Sequence, residues 1–318
     1  MNKEFKTIEE QIEILKERNL IINEEKAKEI FTDNNYYYLI NGYKDLFIDE
    51  NIEEEKYKDG TSLEEIFALY KFDSELRSIF LKYILMIERR IDTYIAYEFS
   101  KQYGENNYLI ESNFNDNKIN NSKIKGLIAD INININTQIR NGNKMLSHYI
   151  RQYGYIPLWV LIRIITFGQI SKFYDLMKQQ DQNKVAKKFN VREKELKTHI
   201  HNLAIIRNIC AHDEKLYDIR LKNTIMKNDI HKQFNLNLQN GQYANGYKDL
   251  FSIVIILKVL LNKKEFKNFY TIIMNNIVEL KREIKSIDFS QVLDKMGFVK
   301  EYKRLISDCS EIGEEINI

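Results

Sequence analysis

The 318-residue sequence predicts an all-α fold, and three observations carry that expectation. One Pro and 11 Gly are too few for the many tight turns of a β-sandwich or an α/β fold. Apolar residues recur at three- and four-residue spacing, as in Ile79, Tyr83, Met86. Hydroxyl residues followed three positions later by Glu, a pattern that satisfies free amides at a helix start, precede two of the apolar runs.

In chain order, Thr7 with Glu10 opens a helix that places Ile8, Ile12 and Leu15 on one face and ends near Asn19. Asn23 caps a second helix through Ile30; the aromatic cluster Tyr36-Tyr37-Tyr38 and then Gly42-Tyr43 follow, and an acid-rich link spans Asp49 to Asp59. Ser62 with Glu65 begins a Gly- and Pro-free segment to about Tyr103, read as one long helix with a possible break near Asp73. Between Glu105 and Asn143 the pattern loosens. Ile131-Asn-Ile-Asn-Ile-Asn136 alternates with period two, a strand signal, but the whole chain is rich in Ile and Asn, so composition alone accounts for it. Pro157 suits the first turn of a helix running to about Lys178, with Gly168 allowing a kink or a close crossing. Further helices are expected at about 181–190, 192–211 and 247–285. The heptapeptide Asn-Gly-Tyr-Lys-Asp-Leu-Phe occurs at 41–47 and again at 245–251, but the flanks differ, so coincidence or shared helix-start chemistry explains it better than duplication.

The composition narrows the class. A hydrophobic fraction of 44% excludes a disordered chain. Two Cys leave too few thiols for a disulfide framework, a zinc ribbon or an iron–sulfur cluster, and fit a reducing cytoplasm. The N-terminus has no apolar core after its charges, which predicts no secretory signal. The longest apolar run, Leu250 to Leu261, contains Ser252 and Lys258 and is too short to span a bilayer.

The net charge of +2 hides a division. Residues 1–60 carry 9 basic and 16 acidic side chains, a net −7, and residues 61–318 carry 39 and 30, a net +9. From Asn117 to Lys172 there are 8 basic residues and a single acid, Asp130, among Tyr149, Tyr153, Tyr155 and Trp159. Cations neutralise phosphates and rings stack on unpaired bases, so Lys123, Lys125, Arg140, Lys144 and Arg151 are candidate RNA contacts. A solvated helix face above buried aromatics explains the same composition. The expected organisation is an acidic helical segment over 1–60, a main helical domain over 61–290 and a C-terminal tail over 291–318, packed or partly flexible.

The five His residues show no metal-site spacing, and no nucleophile elbow or P-loop is present, so neither a metal nor a cofactor is expected. What stands out is Arg207-Asn-Ile-Cys-Ala-His212. Cys210 as a nucleophile lacks a basic partner within sequence reach. Arg207 has a structural alternative as the partner of a buried carboxylate such as Glu88, and His212 as a helix C-terminal cap.

This hexapeptide, with Leu216-Tyr217 after it, resembles the signature of the abortive-infection Abi-like family (AbiD/AbiF type). Further blocks agree in order: Glu10-Gln11 with Leu15, Asn35-Tyr36-Tyr37, Gly42-Tyr43, Phe72-Asp73 with Leu76-Arg77, Ile87-Glu88, Pro157-Leu-Trp-Val160 and Thr166-Phe-Gly168. The resemblance spans roughly residues 5–220. It implies a HEPN-like helical bundle with an N-terminal extension, phage defence by abortive infection, and an endoribonuclease that needs no metal. It also implies a composite site in which two motifs face each other, hence a homodimer, and for some members a small structured RNA as regulator. Asp213 and Lys215 depart from the pattern, standing where the family often has His and usually Arg, so a Lys215 phosphate contact keeps charge but not a bidentate fork.

The residues suit that chemistry. Cleavage by the RNA 2′-hydroxyl needs proton transfer, for which His212 is fitted. It also needs a fixed cation on the phosphate, for which Arg207 is fitted. Asn208 lies four residues before His212, on the same helix face, and can orient the imidazole or the substrate. Arg207 and His212 are five apart and splay on a regular helix, so one chain presents half a site. Two other classes fit the sequence: a non-catalytic RNA-binding module, such as the protein half of an RNA-regulated toxin–antitoxin system, and a helical interaction protein with no RNA role.

Overall fold

The computed structural model describes residues 4–115, 117–234, 236, 238–239, 242–243, 245–299 and 302–309. It is an all-α bundle. The acidic head forms α1 (Ile8–Glu17), α2 (Glu24–Asp33) and α3 (Tyr36–Tyr43). Thr7 and Glu10 make the expected reciprocal cap, and Asn23 caps α2, which runs on to Asp33.

The organising element is α4 (Leu63–Tyr103), 41 residues and about 60 Å long. It starts at the Ser62/Glu65 capping box and ends at Gly104, whose φ of +89° a side chain would disfavour. No break occurs at Asp73, because its carboxylate is engaged by tertiary partners and does not compete for the helix backbone. Glu65 serves a second terminus: its other oxygen accepts the main-chain N–H of Lys285 and Ser286 at 2.6 and 2.7 Å.

The loosely patterned region is helical. It holds α5 (Asn121–Arg140) and α6 (Lys144–Tyr153), and the alternating Ile/Asn run lies inside α5. There Ile131 is fully buried and Ile133 is 62% exposed, as two residues 200° apart on a helix should be.

Two expected long helices are instead broken, for one reason. The stretch after Pro157 is α7 (Leu158–Leu161) and α8 (Phe167–Leu176), separated where Thr166 and Gln169 form a capping box. Gly168 therefore lies in the first turn of α8 and makes no kink. The expected helix over 247–285 is α12 (Leu250–Leu260) and α13 (Lys263–Glu283), separated by a capping box of Asn262 and Glu265. Between these pairs lie α9 (Gln179–Lys187), α10 (Glu193–Ala211), α11 (Asp229–Gln233) and a ribbon of β1 (Leu238–Gln239) with β2 (Gln242–Tyr243); α14 (Ser290–Met296) follows α13. The two heptapeptide copies differ: the first ends α3, whereas the second turns at Gly246 (φ +89°) into Asp249, the N-cap of α12.

Helix α4 packs against α3, α7, α8, α9, α10, α12 and α13, and α10 packs in turn on α8, α9 and α12. Helices α5 and α6 pack on each other, and α5 on α8. One apolar cluster runs from Ile12 in the head to Leu305 near the C-terminal end, so residues of all three sequence segments share it. Residues 310–318 of the tail lie outside the described residues. Among the described residues, no helix is long and apolar enough to cross a membrane.

Candidate functional site

The Arg207–His212 motif is the last turn and a half of α10, with His212 as C-cap donating its main-chain N–H to the Asn208 carbonyl at 2.9 Å. Leu203, Ile206 and Cys210 bury one face of this turn, which leaves Asn208 and His212 exposed to solvent. Arg207 is half-buried, and its Nε lies 3.8 Å from Oε2 of Glu88 on α4. Neither atom has a hydrogen-bond partner, so this is an ion pair without a closed hydrogen bond. The carboxylate partner anticipated for Arg207 is thus present, and it leaves the guanidinium's other nitrogens uncommitted to Glu88.

Glu88 belongs to a small polar group. Asp92 stands one turn further along α4, 9% exposed, with Oδ1 unpartnered. Burial, reinforced by the Glu88 charge, pushes the Asp92 carboxyl up to about 7, against the pull of Arg163. Burial likewise raises the Glu88 pKa, opposed by Arg207, Arg163 and Arg89. Arg163, exposed beyond α7, therefore acts on both acids.

The chain leaving His212 is fixed from the other side. Asp213 takes the left-handed conformation (φ +58°) and pairs with Arg77 at 2.5 Å. Arg77, 3% exposed, also pairs with Asp73 at 2.7 Å. Asp73, fully buried, accepts the Tyr43 hydroxyl at 2.7 Å and the main-chain N–H groups of Leu216 and Tyr217. Burial raises the Asp73 pKa, against the Tyr43 hydrogen bond, the two main-chain donors and Arg77. The Tyr43 ring stacks on Tyr217 with centroids 5.9 Å apart, and the Tyr38 hydroxyl donates to the Asp213 carbonyl. The scattered sequence blocks at Tyr43, Asp73, Arg77 and Tyr217 thus converge on the segment that follows His212. Spacing alone did not single out Asp73, Arg77 and Tyr43; their place in the ordered blocks was the available signal.

The candidate RNA contacts are dispersed. Lys123 and Lys125 lie in the first turns of α5 and Arg140 in its last, some 25 Å apart along the axis. Lys144 and Arg151 lie at opposite ends of α6, and all five are exposed. Asp130, the only acid of that stretch, pairs with Lys172. Lys215 is already engaged, 2.8 Å from Asp218 and 5.6 Å from the Tyr217 ring centroid. Burial pushes the Cys210 thiol up to about 12, which makes it a packing residue and not a nucleophile at neutral pH. Among the described residues, no group of three or more His, Cys, Asp or Glu side chains is placed to hold a metal ion.

Fold and site together define a helical bundle that presents an Arg/His pair at the end of an internal helix. The chain belongs to the Abi-like protein family, whose model matches residues 29–218, from within α2 through the motif and its Tyr217 anchor. The match begins later than the resemblance drawn from sequence, leaving the Glu10-Gln11 and Leu15 block outside it. No curated protein and no solved structure matches the chain.

Proposed function

We propose that this Abi-like protein acts in phage defence as a HEPN-type endoribonuclease, with Arg207, Asn208 and His212 from each of two chains forming a composite site. The observation that carries the proposal is the end of α10. Asn208 and His212 are solvent-facing, and Arg207 is held at its Nε side by Glu88. In the proposed reaction the His212 imidazole transfers the proton of the 2′-hydroxyl and Arg207 holds the phosphate oxygens as charge builds on them. Two chains meeting at this end place one chain's His212 opposite the other's, and supply the acid and the base that one imidazole cannot be at once. The exposed cations of α5 and α6, though dispersed, supply counter-charge for RNA phosphates outside the site.

The deciding experiment incubates the pure protein with labelled RNA in EDTA, wild type beside His212→Ala and Arg207→Ala. Cleavage by the wild type that both substitutions abolish, with the helical circular dichroism signal unchanged, supports the proposal. Cleavage that survives both overturns it. Salt-dependent RNA binding without cleavage, equal in His212→Ala, identifies a binding module instead. Light scattering tests the shared site, which a fully active monomer contradicts.

A further inference from the structure

Beside the Arg207 site, the exposed face of α4 and the segment around α7 enclose a cleft of about 640 Å³. Its apolar part includes Tyr97, Ile162 and Trp159, the one tryptophan of the chain, which is 51% exposed. Its charged part is Arg89, Lys101 and Arg163 with two carboxylates, Asp92 and Glu105; Lys101 Nζ lies 5.8 Å from the Tyr97 ring centroid, and Glu105 accepts the Tyr155 hydroxyl at 3.1 Å. Two polar side chains in the lining have buried atoms without hydrogen-bond partners: Oδ1 of Asp92, itself nine-tenths buried, and Oγ of Ser100.

A half-exposed indole, one unmet carboxylate and three cations, with the second carboxylate already engaged by Tyr155, are complementary to a nucleotide. A base offers a π face to the indole and N–H donors to Asp92, and its phosphate meets the arginines. An apolar side chain of a protein partner would cover the rings and leave the buried carboxylate unpaired, which is unfavourable. Asp92 is one helical turn from Glu88, the partner of Arg207, which puts one end of the cleft near the motif.

We propose that this cleft binds one unpaired nucleotide of single-stranded RNA, its base stacked on Trp159 with an N–H edge on Asp92 and its phosphate on Arg89 and Arg163. The inference rests on the RNA-handling function proposed above and adds a subsite that selects unpaired strand.

Trp159 is its own reporter. The full-length protein is titrated with an eight-residue 2′-O-methyl RNA, which cannot be cleaved at its sugars, carrying a fluorescent end label. Label anisotropy measures binding anywhere on the protein, and indole fluorescence measures occupancy of the cleft. The expected result is quenching of Trp159 by the single strand and not by its duplex, with roughly 5- to 150-fold weaker binding of an abasic chain of the same length. Trp159→Ala should bind the normal and abasic chains alike, Trp159→Phe should keep the preference, and Asp92→Ala should weaken it. Binding seen by anisotropy with unmoved indole fluorescence overturns the cleft and leaves the RNA function standing. Absence of any binding overturns both. A Trp159→Ala protein that loses self-association shows instead that a second copy covers the cleft, and this also overturns it.

Discussion

Asp73, on the long helix α4, holds the main-chain N–H of Tyr217 at 2.6 Å, across 144 residues of sequence. The same carboxylate takes Leu216, Tyr43 and Arg77, and Arg77 reaches on to Asp213, so one buried acid anchors the residues that follow His212. A free loop would let the imidazole wander. Tied down on both sides, by α10 before it and by this network after it, the main chain of His212 is held at a defined place on the surface.

Removing the anchor should therefore be expensive. Asp73→Ala leaves Arg77 with only the exposed Asp213 as a charge partner and two main-chain donors unmet, and urea unfolding should show a loss of about 3–5 kcal/mol. Tyr43→Phe removes two hydrogen bonds, the one its hydroxyl donates to Asp73 and the one it accepts from Arg77, and should cost about 2–3 kcal/mol by the same measurement. On the proposed function, RNA cleavage should fall in both variants, further in Asp73→Ala, under conditions where circular dichroism shows them folded.

Asp92 gives stability an unusual slope with pH. Its folded carboxyl is pushed up to about 7, above its ordinary value near 4, so between those pH values the folded state binds a proton that the unfolded state has lost. Stability from this group is present at low pH and falls as pH rises, by up to about 1.4 kcal/mol per unit. Asp92→Asn should consequently be more stable than wild type at pH 8, with the difference vanishing at pH 4, as read from urea midpoints.

His199 works in the opposite sense. It is 1% exposed, neither ring nitrogen has a partner, and burial lowers its pKa to about 4. Between pH 6.5 and 4 the unfolded chain takes up a proton that the folded one refuses, so stability falls as pH falls. His199→Phe should flatten that acid limb, and a thermal melt series from pH 7 to 4 would reveal it.

Two glycines with left-handed backbones should respond very differently to alanine. At Gly297 (φ +78°) a Cβ would lie 2.2 Å from Cγ of Asp249, whereas at Gly142 (φ +73°) it would meet nothing within 4 Å. Gly142→Ala should cost about 1 kcal/mol from backbone strain alone. Gly297→Ala should cost clearly more, because Asp249 must abandon its cap of α12 to make room. Thermal denaturation of the pair measures the difference.

The misplaced helix boundaries were legible but outvoted. Thr166 with Gln169 and Asn262 with Glu265 carry the same reciprocal cap that located the starts of α1 and α4. In both places an apolar pattern ran on across the cap, since the helix on each side buries its own face in the same core. The period-two run in α5 carried a strand phase that composition alone supplied, and the tertiary structure overrode it by burying Ile131 and leaving Ile133 in water.

The sequence by itself determined the helical class, because scarce Gly and Pro and local capping chemistry act within a few residues of each other. It also located the Arg207–His212 pair and, through ordered blocks, the family. Only the tertiary structure decided what surrounds that pair: Glu88 at Arg207, Asp73 and Arg77 behind His212, and the cleft between α4 and Trp159. These meetings join residues up to 144 positions apart. They depend on how helices pack, through burial and desolvation that no local pattern encodes.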